Sequence, residues 1–103
     1  MLPLILVALA AFQPTPHFVA LKWNVVTKDS AGHTLTGTVY YNVYRDISGT
    51  LKYAKLNPSP IPCAAYFDDT VVAGTSYDYQ VTAFTVTGGE SGFSNKSGDV
   101  LIP

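Results

Sequence analysis

The sequence has 103 residues, the size of one domain, and six Lys plus Arg against seven Asp plus Glu give a formal net charge of −1. No two basic residues are adjacent, which argues against a nucleic-acid partner or polybasic attachment to anionic lipid, because both need clustered cations. Hydrophobic residues make up 48% and charged residues only 13%, with seven Tyr and five Phe, so the composition favours strands around a dense core.

Residues 1–12 are uncharged and almost entirely aliphatic, unlike the rest of the chain. The stretch is shorter than the roughly 20 residues of a membrane-spanning helix. It is typical of the apolar part of a secretory signal, with residues 8–10 as a small-x-small cleavage site, although no basic residue precedes it. Alternatively the segment is retained as a strand that pairs with its own sheet or with a neighbour's open edge. The apolar positions of such an assembly strand are Leu4, Leu6, Leu9 and Phe12.

Beyond this segment, residues 13–103 are predicted to form one domain of short strands. Period-2 alternation predicts strands over 19–23, 40–45, 51–56, 63–67, 75–85 and 97–102. The prolines at 58, 60 and 62 exclude a central strand between the third and fourth of these. No helical period persists, and turns every 8–12 residues are typical of a β-sandwich or barrel. Cys63 has no second cysteine to pair with and is predicted to be a small buried residue at a strand start.

Alternation also divides the large side chains between two faces. The predicted structural core consists of Leu21, Trp23, Tyr41, Val43, Tyr77, Tyr79 and Val81. The remaining aromatic residues, which fall on faces not assigned to the core, are Tyr40, Tyr44, Tyr53, Tyr66 and Phe84. Some of these would form cross-strand pairs, and a cluster left exposed would offer a patch to a partner. The candidate partner-binding residues are Tyr40, Tyr44, Tyr53 and Glu90.

The sequence shows no recognisable catalytic equipment. His17 and His33 lie 16 residues apart and outside metal-ligand spacing, so they are interpreted as solvated or strand-end histidines. Asp68 and Asp69 point to opposite sides of a strand and are interpreted as turn or strand-end acids rather than calcium ligands. No nucleophile motif or phosphate-binding loop is present. We therefore predict a protein that is not an enzyme and has no catalytic residues, no metal site and no cofactor.

Several motifs, in this order and spacing, resemble the fibronectin type III domain, and most closely its bacterial secreted and cell-surface versions. They cover residues 17–103 and are Val19-x-Leu21-x-Trp23, Tyr41-x-Val43-Tyr44-Arg45, Asp68 and Val71 before Ala73-Gly74-Thr75, Tyr77-x-Tyr79-x-Val81-Thr82-Ala83, Gly89-Glu90-Ser91 and Ser94-Asn95. The resemblance implies an all-β fold, a seven-stranded immunoglobulin-like antiparallel β-sandwich with three strands against four. It also implies that Trp23 anchors the core and that the Tyr77 hydroxyl returns to the backbone before its strand.

Two departures from the family pattern bear on function. The first strand is poorly represented if a signal peptide is removed, and the loop over residues 86–92 lacks the Arg-Gly-Asp triplet, so integrin binding is not implied. The first hypothesis is a non-catalytic binding or spacer module, secreted or at the cell surface, with a protein or glycan partner. The alternative is a structural subunit that self-associates into an extracellular polymer or filament by adding its N-terminal apolar strand to a neighbouring sandwich.

Overall fold

The computed structural model of the protein describes residues 6–10, 17–28, 31–86, 90–91, 94 and 96–103, and for residues 6–10 the backbone alone. These residues form seven strands, and every strand pair is antiparallel. They are β1 (Leu6–Ala10), β2 (Val19–Trp23), β3 (Tyr40–Ile47), β4 (Ala54–Lys55), β5 (Ala65–Asp68), β6 (Ser76–Phe84) and β7 (Val100–Leu101).

The strands make two sheets that pack face to face. One sheet has three strands in the order β1-β2-β5, and the other has four in the order β4-β3-β6-β7. This confirms the predicted all-β, immunoglobulin-like antiparallel sandwich with three strands against four. The longest ladder joins β3 to β6, from the Tyr40–Phe84 pair at one end to the Ile47–Tyr77 pair at the other.

The apolar N-terminal segment supplies the first strand of the three-stranded sheet. All five residues of β1 pair with β2, from Leu6 opposite Trp23 to Ala10 opposite Val19. The strand that is poorly represented in the rest of the sequence is therefore provided by residues with the composition of a signal peptide. Leu4 and Phe12 of the predicted assembly strand lie outside the described residues. Whether residues 1–12 are removed on export stays a prediction.

The core lies between the sheets and draws on both. The seven residues that alternation assigns to it are all buried: Leu21, Trp23, Tyr41, Val43, Tyr77, Tyr79 and Val81. The Trp23 ring meets the Tyr41 ring edge to face, with centroids 5.3 Å apart. The Tyr77 hydroxyl accepts a hydrogen bond from the backbone N–H of Val72 at 3.1 Å, which confirms the return to the backbone that the resemblance implies.

Two positions differ from the sequence prediction. Tyr66 packs against the core instead of facing outward, because β5 pairs with β2 in a register that sets Tyr66 opposite the buried Leu21. Cys63 is exposed instead of buried. Strand β5 begins two residues later than its predicted start, at Ala65, so Cys63 lies in the preceding loop, where strand alternation does not apply.

Candidate functional site

The outer face of the four-stranded sheet carries three of the four candidate partner-binding residues on or beside its central strands. Tyr40 and Tyr44 lie on β3, and Glu90 follows β6 in the chain. We call the surface formed by Tyr40, Asn42, Tyr44, Thr82, Phe84 and Glu90 the tyrosine face. Its strands are in register, with Tyr40 opposite Phe84 and Asn42 opposite Thr82. Its side chains point away from the core because β3 alternates, with Tyr41 and Val43 buried beneath it.

The Glu90 carboxylate joins side chains of both central strands. Its Oε2 atom accepts hydrogen bonds from Asn42 Nδ2 at 2.8 Å, from the Tyr44 hydroxyl at 2.7 Å and from the Thr82 hydroxyl. Burial alone would raise the pKa of Glu90, but the hydrogen bonds from Thr82, Asn42 and Tyr44 hold it below its ordinary value. Partial burial and the neighbouring Glu90 raise the pKa of Tyr44. The carboxylate therefore stays ionised at neutral pH, and its hydrogen bonds hold Glu90 against the sheet.

An aromatic pair continues the tyrosine face at one end. The rings of Tyr40 and Phe84 are stacked, with centroids 5.7 Å apart and 28° between their planes. Both residues are partly buried. Such a pair presents apolar area with few rotatable bonds.

Two buried acids lie on the same outer side of the sheet, beside the fourth candidate, Tyr53. Asp46 and Asp78 face each other across β3 and β6 and are only 2% and 8% exposed. Burial and the negative charges of Asp99 and Asp46 raise the pKa of Asp78. Burial together with Asp46 and Asp78 raises the pKa of Tyr53 to about 12. Tyr53 therefore lies close to the Asp46–Asp78 pair.

The polar cluster that joins the two sheets was not foreseen from the sequence. Asp68, 2% exposed, accepts hydrogen bonds at Oδ2 from Arg45 at 2.8 Å and from the Tyr79 hydroxyl at 2.6 Å. Its Oδ1 atom accepts from the Thr70 hydroxyl at 2.6 Å, and the Arg45 guanidinium lies 4.7 Å from the centre of the Tyr77 ring. Arg45 is the residue from which this cluster could have been predicted. It occupies a core-facing position of β3 after Tyr41 and Val43, and a buried cation needs a partner of opposite charge.

This cluster is structural in character, with its atoms engaged by one another inside the sandwich. Within the described residues no group of three or more His, Cys, Asp and Glu side chains is arranged to hold a metal ion. His33 and Asp69 are exposed, and Asp69 is the neighbour of Asp68 that points outward. No helix among the described residues is long and apolar enough to span a membrane.

Comparison with known proteins connects this architecture to solved structures. No family model and no curated protein matches the chain. A crystal structure of an Fn3-like protein from Clostridium thermocellum aligns with 93% of this chain and 88% of its own, at 25% identity and a TM-score of 0.66. The chain is a fibronectin type III-like domain.

Two further structures have the same fold at lower identity. The twitchin kinase region from C. elegans, described as Fn31-NL-kin-CRD-Ig26, matches at 17% identity and a TM-score of 0.67, over 84% of this chain. Domains A168–A170 of titin match at 17% identity and a TM-score of 0.68, over 91% of this chain. This fibronectin type III-like domain spans only 14% of the twitchin chain and 30% of the titin chain, so these matches concern its fold.

Proposed function

We propose that this fibronectin type III-like domain is a non-catalytic binding or spacer module, secreted or held at the cell surface, that takes a protein or glycan partner on its tyrosine face. The observation that carries the proposal is the Glu90 carboxylate, which receives three side-chain donors from β3 and β6. These bonds hold the side chains in one arrangement before any partner arrives. A surface ordered in advance loses less conformational entropy on binding.

The composition of the tyrosine face supports the same function. Tyr40 and Tyr44 are each partly exposed, so each can offer ring area and a hydroxyl together. Tyrosines of this kind give large contact area at low entropy cost, and Asn42 adds amide hydrogen bonding. Lys55, which lies opposite Tyr44 across β3 and β4, adds a positive charge that acts on Glu90. Mixed aromatic, amide and charged groups suit a partner that presents both apolar and hydroxyl groups.

The test compares two faces of one domain. Wild type, Tyr40→Ser/Tyr44→Ser and the control Lys22→Ser would be immobilised and probed with a panel of glycans and purified extracellular matrix proteins. Lys22 is exposed and lies on β2, so its variant changes an exposed side chain of the other sheet. We expect the tyrosine double variant to lose binding at least tenfold and the Lys22 variant to keep it. Equal binding by all three folded proteins would contradict the assignment of this face.

A second candidate is the structural subunit that assembles through its N-terminal strand. The favouring observation is that β1 lies at the edge of its sheet and forms a five-residue ladder with β2, which β1 of a second copy could form equally well. Strand exchange of this kind would link copies into dimers or longer chains. Size-exclusion chromatography and negative-stain microscopy of the intact chain test it, and a monomer across the accessible concentration range would exclude it.

The extracellular location rests on the composition of residues 1–12. If the segment were cleaved after Ala10, β1 would be removed with it, so export by cleavage and β1 as a domain strand are competing uses of the same residues. Intact mass of material exported from cells decides between them. A mass that includes Met1 would contradict the cleaved signal peptide.

A further inference from the structure

A small aromatic cavity lies on the outer face of the three-stranded sheet, on the side of the sandwich opposite the tyrosine face. It has a volume of about 310 Å³ and is lined by His17, Phe18, Phe67 and Asp69. The Phe18 and Phe67 rings meet at 90° with centroids 5.4 Å apart. Two rings at a right angle enclose a corner, and the polar residues complete its wall.

The fold does not require an aromatic corner at this place. Val19 and Leu21 of β2 carry the core contacts on the inner side of the sheet, while Phe67 pairs across with Ala20 on the outer side. Phe67 is 67% exposed although the Phe18 ring packs against it edge to face. The two rings form a contiguous apolar patch open to solvent, and such patches mark binding surfaces.

The polar groups of the cavity determine the charge of its ligand. Asp69 contributes an exposed carboxylate, and none of the described residues that line the cavity is a Lys or Arg. The neighbouring acid Asp68 faces the other way, into its ion pair with Arg45. His17 Nδ1 is buried and has no hydrogen-bond partner among the described residues. The faces of both phenylalanine rings are negative through their quadrupoles, so carboxylate and rings favour the same sign of ligand charge.

We propose that the corner formed by Phe18, Phe67, His17 and Asp69 binds an organic ammonium group, such as a lysine side chain, a methylated lysine or a choline headgroup. The cation lies against the ring faces, Asp69 supplies the opposing charge, and His17 Nδ1 accepts from an N–H or hydroxyl next to the cationic centre. Nothing in this site depends on the tyrosine face, so it is an activity additional to the proposed function and can fail or succeed independently of it.

Titration followed by two-dimensional amide NMR tests the site with three probes. Choline carries the trimethylammonium group, 3,3-dimethyl-1-butanol has the same shape without the charge, and Nα-acetyl-lysine methylamide presents an unmodified lysine. We expect saturable shifts at residues 17–20 and 65–69 for at least one ammonium probe, with a dissociation constant in the millimolar range. The neutral isostere should bind at least tenfold more weakly than choline, because it lacks the cation–π and carboxylate attraction.

Variants separate the contributions of the rings and the charge. Phe67→Leu keeps apolar volume but removes the quadrupole, and Asp69→Asn keeps size but removes the charge. Each should weaken ammonium binding at least threefold, and salt should weaken it in wild type more than in Asp69→Asn. Leu101→Ala, which removes a 61% exposed apolar side chain from β7 in the other sheet, is the control and should bind as wild type does.

The two ammonium probes also distinguish the source of the ligand. Preference for the lysine derivative would point to a protein partner, and preference for choline would point to a methylated or lipid-type headgroup. Equal affinity for choline and its neutral isostere would overturn the proposal and leave an apolar cavity. The proposal would also be overturned if neither ammonium probe gave saturable shifts at a concentration 50 times the expected millimolar dissociation constant.

Discussion

At the scale of single residues, Asp68 joins the sheets because three side chains from three parts of the chain donate hydrogen bonds to it. Arg45 comes from β3, Tyr79 from β6 and Thr70 from the loop after β5, and all donate to its carboxylate. Asp68→Ala would leave Arg45 and two hydroxyls without their acceptor inside the sandwich. We expect it to lower the free energy of unfolding by roughly 3–5 kcal/mol, measured by urea denaturation at pH 7.

The neighbouring acid provides the control for this prediction. Asp69→Ala removes the same side chain from an exposed position, and its effect should stay within about 0.5 kcal/mol. A similar loss for both variants would mean that net charge, not the buried network, matters. Alternation along β5 indicates that Asp68 and Asp69 face opposite sides, but it cannot show which of them meets Arg45, 23 residues away in the sequence.

The same network gives stability a dependence on pH. Burial acts to raise the pKa of Asp68, but the hydrogen bonds from Thr70, Tyr79 and Arg45 outweigh it and set the pKa below its ordinary value. A folded-state pKa below the unfolded value of about 3.9 makes the contribution fully present above that pH. Stability should therefore fall as pH drops through the folded-state pKa. Urea denaturation between pH 7 and pH 2 should show this fall in wild type and a smaller one in Asp68→Ala.

Asp78 should behave in the opposite sense. Burial and the charges of Asp99 and Asp46 raise its pKa in the folded state, so its ionisation works against folding as pH rises through that value. Asp78→Asn removes the like-charged pair with Asp46 and should stabilise the domain by roughly 0.2–1 kcal/mol at pH 7. At pH 3, where the acid is protonated in both states, the gain should disappear. A gain of equal size at both pH values would contradict an ionisation origin.

At the scale of elements, the Tyr77 hydroxyl fixes the loop that leads into β6. Tyr77→Phe removes its bond to the Val72 N–H and should lower the free energy of unfolding by about 0.5–1.5 kcal/mol. Tyr40→Phe is the matched control, because the stacked ring on Phe84 is kept and only an outer hydroxyl is lost. Thermal and urea denaturation measure both variants. An equal loss in the two would show that the hydrogen bond between the Tyr77 hydroxyl and the Val72 N–H contributes no more to stability than an exposed hydroxyl does.

The strands themselves show which parts of the fold the sequence could predict. The predicted bounds of β2 match the structure, and those of β3 and β6 differ by at most two residues, because their side chains alternate against a core. The strands β4 and β7 span two residues each, although longer runs were predicted. Their lengths depend on where the partner strand stops offering free backbone groups, and single-sequence alternation does not carry that information.

The sequence also predicts only part of the candidate site, namely which side of the sheet its residues face and not which distant residues they contact. Alternation put Tyr40 and Tyr44 on the outer side of β3, where the structure places them. The bond from Tyr44 to Glu90 spans 46 positions and depends on how the loop after β6 returns to the sheet. The aromatic corner of Phe18 and Phe67 depends on the β2–β5 register. Contacts of this kind follow from pairing between distant strands, which no local pattern specifies.

At the scale of the whole molecule, the sandwich depends on whether β1 completes its three-stranded sheet. A chain that starts after Ala10 would lose the entire β1–β2 ladder and leave the edge of β2 unpaired. Several ladder hydrogen bonds, each worth about 0.5–1.5 kcal/mol, would go with it, so we expect a loss of roughly 3–5 kcal/mol by urea denaturation. The open edge should also promote self-association, visible as a concentration-dependent shift in size-exclusion chromatography.

Restoring the strand in trans tests whether pairing is the cause. A peptide of residues 4–12 flanked by lysines should raise the unfolding midpoint of the shortened chain and return it to a monomer. The same peptide with Leu9→Pro should not, because proline removes a ladder donor there: Leu9 lies opposite Ala20, whose backbone groups face β1 since those of Trp23, three positions on, bond toward β5. A shortened chain that is as stable and as monomeric as the full one would mean that residues 1–10 are dispensable to the domain. That result would favour their role as a cleaved signal over their role as its first strand.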